Sequence, residues 1–145
     1  MPKKAKKVFI SSTAREFAAE RQAIESALTA IGVKAILFDK AGPNTQDPWT
    51  FDQRLIADCD IFIGVYGEEY GGKPKGKRTS WIENEYKCAA SHQKIILPYI
   101  KRVDSRDPRL DGFLRRHILS NHTAAYFGDL PDLVKQATKD VAALL

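Results

Sequence analysis

Five short apolar segments recur along this chain, most of them leading into a stretch with helical spacing. That alternation constrains the fold more than any other feature. The segments are "KVFIS" (7–11), "KAILFD" (34–39), "DIFIGVY" (60–66), "KIILPYI" (94–100) and "TAAYF" (123–127). The middle ones are almost continuously apolar, as strands covered on both faces must be. Repeated β-α units of this kind require a parallel sheet with helices on both sides. Right-handed crossovers leave few arrangements of five strands, and the flavodoxin-like order 2-1-3-4-5 is the natural one. The expected fold class is α/β, a three-layer sandwich around a five-stranded parallel sheet. A chain of 145 residues has the size of one domain. Residues 7–145 are expected to form it, behind a basic, disordered lead at residues 1–6.

The helices have legible ends. "TARE" (13–16) has the S/T-x-x-E form of a capping box, and Phe17, Ile24, Leu28 and Ile31 repeat behind it until Gly32. Asp47 and Pro48 suit the cap and first position of a second helix, with Phe51, Leu55 and Ile56 following. "SWIE" (80–83) is another capping box, and "DPRLDGFLRRHIL" and "DLPDLVKQATKDVAALL" supply two further helices.

The net charge of +5 is concentrated in Lys3, Lys4, Lys6 and Lys7 and in "KPKGKR" (73–78). Such knots suit an anionic small molecule or a phosphate; nucleic acid is the weaker reading, and a solvated lysine cluster the commonest. Cys59 and Cys88 with three scattered histidines make neither a disulfide framework nor a zinc site, and no metal is expected. No apolar run has transmembrane length, so a cytoplasmic protein without a membrane partner is expected.

In such sheets ligands bind beyond the carboxyl ends of the strands, at the switch between strands 1 and 3. "SSTAR" (11–15), "VYGEEYGG" (65–72) and the helix opening at Ser80 and Trp81 meet there. That helix carries two glutamates two residues apart, which point in different directions. Glu83 is the capping-box partner of Ser80, reaching back to its amide. With Trp81 at zero and about 100° per residue, Glu85 falls near 40°, inside an apolar arc with Ile82 and Ala89, while Glu83 lies opposite. A carboxylate among apolar neighbours loses hydration. Snorkelling or a basic partner would explain Glu85; its place at the crevice makes it a functional candidate.

The stretches "VFISSTAREFAAER", "YGEEYGG" and "SWIENEYKCA" resemble the TIR-like domain family marked by V-F-[IV]-S-S-T, long classed as of unknown function. The resemblance covers nearly the whole chain. More distantly it extends to TIR domains and nucleoside deoxyribosyltransferases, flavodoxin-like folds whose catalytic members use one glutamate on the third helix. That glutamate precedes a small residue by four positions, and here the match is Glu85 with Ala89. The resemblance also implies fusion to a nucleotide-switch ATPase, self-association through TIR-like faces, and a role in bacterial immunity or signalling. The loop "DKAGPNTQDPW" departs from the usual TIR pattern, so contacts known for that loop do not carry over.

One carboxylate suffices for one reaction of this group. O-Glycoside hydrolysis usually needs two, because the leaving oxygen must be protonated. Nicotinamide leaves NAD as a neutral molecule from a cationic pyridinium and needs no acid. A single carboxylate holding the ribose hydroxyls and stabilising the oxocarbenium-like charge is enough. NAD is expected as substrate, with no cofactor.

Around Glu85, Ser11 and Ser12 stand equally for loop structure and ligand contact, and Thr13 for local capping. Arg15 is placed to meet a diphosphate or solvent. Arg21 falls on the apolar side of its helix, where a buried ion pair is expected. Tyr66 and Tyr70 flank Gly67 and could pack or stack on a base; Trp49 is a helix-start staple or a lid residue. "GEEYGGKPKGKR" (67–78) is expected to be a mobile loop over the crevice.

An NAD glycohydrolase is the first function these observations imply, and a non-catalytic interaction and oligomerisation module the alternative. A flavin site lacks the expected glycine and second threonine in "SSTAREFAAE". A phospho-acceptor lacks its acidic pair and aspartate, since serines and Tyr66-Gly67 stand at those strand ends.

Overall fold

The computed structural model describes residues 4–38 and 47–145. Part of the lead at 1–6 (residues 1–3), Asp39 at the end of "KAILFD", and most of the loop after strand 2 therefore lie outside the described residues. The strands are β1 (Lys7–Ser11), β2 (Lys34–Ile36), β3 (Ile61–Tyr66), β4 (Ile95–Lys101) and β5 (Ala125–Phe127). All pair in parallel in the order β2-β1-β3-β4-β5. The helices are α1 (Ala18–Ala30), α2 (Pro48–Asp58), α3 (Trp81–Ser91), α4 (Pro108–Phe113) and α5 (Leu130–Ala142).

The pleat sorts the strands' apolar residues into two cores. Phe9, Phe62, Tyr66 and Ile100 face Ile56 of α2, Ile82 and Tyr86 of α3, and Leu110 and Phe113 of α4. Val8, Ile10, Ile63, Val65 and Tyr99 face Phe17, Ile24 and Leu28, and Leu133, Ala137 and Val141 of α5. Each buried aliphatic or aromatic side chain contributes about 1.5–3 kcal/mol over an exposed one. β3, at the centre of the sheet, is buried along its whole length, and the site sits at the carboxyl ends of β3 and its neighbour β1.

Two helix readings need correction. The "TARE" capping box does not open α1, which begins at Ala18 with Phe17 at the cap and no side-chain cap bond. Thr13–Phe17 forms a turn instead, with the Phe17 amide donating to the Thr13 carbonyl at 3.1 Å. Glu16 leaves the capping role because it has better partners at long range. Its carboxylate accepts the amides of Glu68 and Glu69 at 2.7 and 3.0 Å. Gly67 permits that approach: a Cβ there would lie 2.3 Å from Glu16 Oε2 and 2.6 Å from the Phe17 ring. Gly67→Ala is accordingly expected to displace Glu16 and destabilise the chain by about 1–3 kcal/mol, measurable by urea unfolding.

The second correction concerns "DPRLDGFLRRHIL". It forms α4 capped by Asp107, whose side chain accepts the Arg109 amide, and then widens into a π-helical turn at Leu114–Ile118. By contrast, Asp47 caps α2 through the Thr50 amide at 3.1 Å, with Pro48 at the first position.

Candidate active site

The carboxyl ends of β1 and β3 open into a cavity of about 640 Å³. One wall comes from Ser12 to Arg15 after β1, another from Glu69 to Gly72 after β3, and a third from Phe38, Trp81 and Ile82. Glu85 lies at its floor, 5% exposed. Ser11 Oγ, at the end of β1, donates to Glu85 Oε1 at 2.7 Å. Burial pushes the Glu85 carboxyl above the usual range; the Ser11 hydroxyl, Asp52 and the positive charge of Arg21 oppose it.

Asp52 is the residue the sequence reading missed. It sits on α2, fully buried and next to Glu85, and neither of its oxygens accepts from a donor. Burial, followed by the adjacent Glu85, drives its carboxyl far above the ordinary value. A signal was available: Asp52 precedes Ile56 by four, so the wheel argument used for Glu85 places it on the apolar side of α2.

Arg21 is half-buried on α1 and lines the cavity. Its guanidinium donates to the carbonyls of Ser12 and Phe38 at 3.3 and 3.2 Å, tying the end of β1 to the segment after β2. The Ser12 hydroxyl lines the cavity, is 7% exposed and has no partner. The third wall is aromatic. Phe38 stacks on Trp81 at 5.3 Å, Trp49 meets Trp81 edge-on at 5.9 Å, and Lys77 lies 5.8 Å over Trp49.

Thus the structure gathers Ser12, Arg15, Tyr70, Trp81 and Glu85 at one cavity, with Ser11 directly behind. Three anticipated contacts are not on its wall. Tyr66 is buried, with its ring edge-on to Phe113 at 5.6 Å and its hydroxyl unpartnered in the core, because its side chain follows the pleat downward. Gly67 is covered by Glu16 and Phe17. Ser80 is completely buried as the α3 cap, its Oγ accepting the Glu83 amide at 3.2 Å.

Glu83 also departs from expectation. It is buried, and instead of bonding the Ser80 amide directly it reaches it only through Tyr70. The Tyr70 hydroxyl donates to Glu83 Oε1 at 2.7 Å and accepts from the Ser80 amide at 3.1 Å. Lys87 pairs with the other oxygen at 2.8 Å. Burial works against the Glu83 charge, but Lys87 and Tyr70 outweigh it and hold the carboxyl below its usual value. The same relay buries Tyr70 under Arg109, 4.9 Å from its ring. With Gly72 accepting the Trp81 amide at 2.9 Å, the 67–78 segment is anchored at Tyr70 and Gly72 rather than hanging free over the cavity.

Five parallel strands in this order, with a carboxyl-floored cavity at the switch between β1 and β3, define a TIR-like, flavodoxin-like α/β domain. The chain belongs to the family described as a domain of unknown function, DUF4062, which matches residues 7–142. Similar solved structures agree on the fold. The TIR domains of the activated Roq1 resistosome recognising the effector XopQ share 13% identity, cover 94% of this chain and 99% of theirs, and give a TM-score of 0.70. The RPS4–RRS1 TIR domain heterodimer shares 13% identity over 95% and 97%, with a TM-score of 0.64. The Clostridium botulinum CMP N-glycosidase BcmB shares 16% identity over 90% and 97%, with a TM-score of 0.57. No curated protein sequence matches the chain. Among the described residues, no helix is long and apolar enough to cross a membrane.

Proposed function

We propose that this domain is a nucleotide N-glycosidase that cleaves the nicotinamide–ribose bond of NAD or a closely related nucleotide. The observation that carries the reading is Glu85: a buried carboxylate, held by the Ser11 hydroxyl, at the floor of a nucleotide-sized cavity. Its charge would stabilise the cation that develops on the ribose as nicotinamide departs. In this reading the aromatic wall of Phe38 and Trp81 receives a planar ring, the free Ser12 hydroxyl meets the ribose, and Arg15 meets the diphosphate. CMP cleavage by BcmB, a protein of the same fold, supports N-glycosidic chemistry on this scaffold.

The TIR domains of Roq1 and of RPS4 and RRS1 occur in a resistosome and a heterodimer, and we extend self-association to this domain. The decisive assay incubates the purified chain with NAD across a range of protein concentrations and measures nicotinamide. Release that rises more steeply than protein concentration supports an assembled site. No release at any concentration, with NAD bound, rejects the reading in favour of a recognition module.

The basic segment leads to a separate expectation. Neutralising Lys73, Lys75, Lys77 and Arg78 together is expected to weaken nucleotide binding by roughly tenfold at low salt, and by little at high salt, where exposed charges are screened. Equal affinity at low ionic strength would dismiss the electrostatic role.

A further inference from the structure

We infer that Asp52 carries a proton at neutral pH and donates it to Glu85, so that the two carboxyls together hold one negative charge, presented to the cavity by Glu85.

Asp52 is fully buried on α2, yet neither carboxyl oxygen has a donor. An ionised aspartate without donors in an apolar core is far too costly to persist. A protonated one is a hydrogen-bond donor and needs only an acceptor. The titratable and charged groups that face it are Glu85 and Cys88 from α3 and Arg21 from α1. The Cys88 thiol is pushed up by burial and the neighbouring Glu85, so it stays neutral and is a poor acceptor. Arg21 can only donate. Glu85 is the acceptor that remains. One of its oxygens already takes the Ser11 hydroxyl at 2.7 Å, which leaves the pair able to share a proton through the other side of the carboxylate.

The charge balance agrees. Two ionised carboxylates side by side in the core would repel each other, whereas one proton on Asp52 leaves a single negative charge, on Glu85. Like-charged carboxyls in one site titrate as a pair, and one of the two holds its proton well above the ordinary carboxyl range. The functional consequence follows from hydrogen bonding to the charged form: Asp52 and Ser11 together favour ionised Glu85 and offset part of the effect of its burial. Asp52 is therefore a positioning residue that acts through Glu85 and does not line the cavity. Its consequence for turnover rests on the glycosidase reading; its protonation does not.

The test uses the whole chain as wild type, Asp52→Asn, Asp52→Leu and Glu85→Gln. Infrared spectra at pH 7.5 are expected to show a carboxylic-acid carbonyl band in the wild type that disappears in Asp52→Asn and shifts in Glu85→Gln. The folded state binds this proton more tightly than the unfolded chain does. Wild-type stability is therefore lost as pH rises from the ordinary aspartate value towards the raised one. Asp52→Asn removes that loss, so its melting temperature should exceed the wild type's by a margin that widens from pH 5 to pH 8. In Asp52→Leu, Glu85 loses its donor and takes up a proton itself. The acid limb of nicotinamide release should move upward by a pH unit or more, while Asp52→Asn, which keeps an N–H donor, moves it much less.

A wild type without the band, or a melting-temperature gap that stays constant with pH, overturns the shared proton. An acid limb common to wild type and Asp52→Leu overturns the positioning role. Absence of nicotinamide release in the wild type rejects the glycosidase reading alone, because the infrared and melting results still decide the protonation.

Discussion

Glu85→Gln should lower nicotinamide release by roughly two to three powers of ten, the usual loss when a principal electrostatic element is removed from a preorganised site. Glutamine keeps the volume and still offers an oxygen to the Ser11 hydroxyl, so the cavity should survive. Nucleotide affinity should fall much less than turnover, because the lost charge matters most once the ribose has become cationic. Stability should be unchanged or slightly raised. The Glu85 carboxyl titrates above its ordinary value in the folded chain, mainly through burial. Its favourable contribution is thus present below about pH 4 and is lost as pH rises from there towards the raised value. Removing the carboxylate removes that loss at neutral pH. Turnover by single-turnover kinetics and unfolding by urea would be measured on the same preparation. Full activity would reject the catalytic role, and a stability loss of several kcal/mol would make Glu85 a structural partner instead.

Tyr70→Phe is expected to be the most destabilising conservative change near the cavity, at about 2–4 kcal/mol. The hydroxyl serves two buried groups at once, donating to Glu83 Oε1 and accepting from the Ser80 amide. Phenylalanine preserves the ring beneath Arg109 but leaves both groups without that partner. A buried donor or acceptor left unmade costs more than the bond itself contributed. The pH dependence should change as well. Glu83 titrates below its ordinary value in the folded chain. Its contribution is therefore present above the unfolded value, near pH 4, and lost as pH falls through the lower folded one. Tyr70→Phe removes one of the bonds that lower it, so the mutant should differ most from wild type above pH 5 and less near pH 3. Urea unfolding at both pH values checks this, and a neutral-pH difference below about 0.5 kcal/mol would mean the relay is not formed in solution.

The two glutamates of "SWIENEYKCA" show how far sequence reading reached into the site. Helical geometry alone placed Glu85 on the apolar arc of α3, since the angle between side chains is a local property of the backbone. The same reading put Glu83 in a capping box, and half of that box is present as the bond from its amide to Ser80 Oγ. The other half was taken over by Tyr70, thirteen residues earlier, which no local rule could select. Glu16 repeats the lesson: a locally valid capping pattern yielded to two amides more than fifty residues away.

Strand order, layer number and the position of the cavity were determined by the sequence itself. They follow from short-range periodicity and from the handedness of βαβ crossovers, which hold for any chain with this alternation. Tertiary structure alone decided which polar groups meet. Asp52 on α2, Glu85 on α3, Ser11 on β1 and Arg21 on α1 come from four separate elements, and their charge states depend on one another. Burial of one carboxyl against the next has no counterpart in the unfolded chain, where water solvates each group separately. That is why the architecture could be read along the chain, and why the proton shared between Asp52 and Glu85 appears only once the chain is folded.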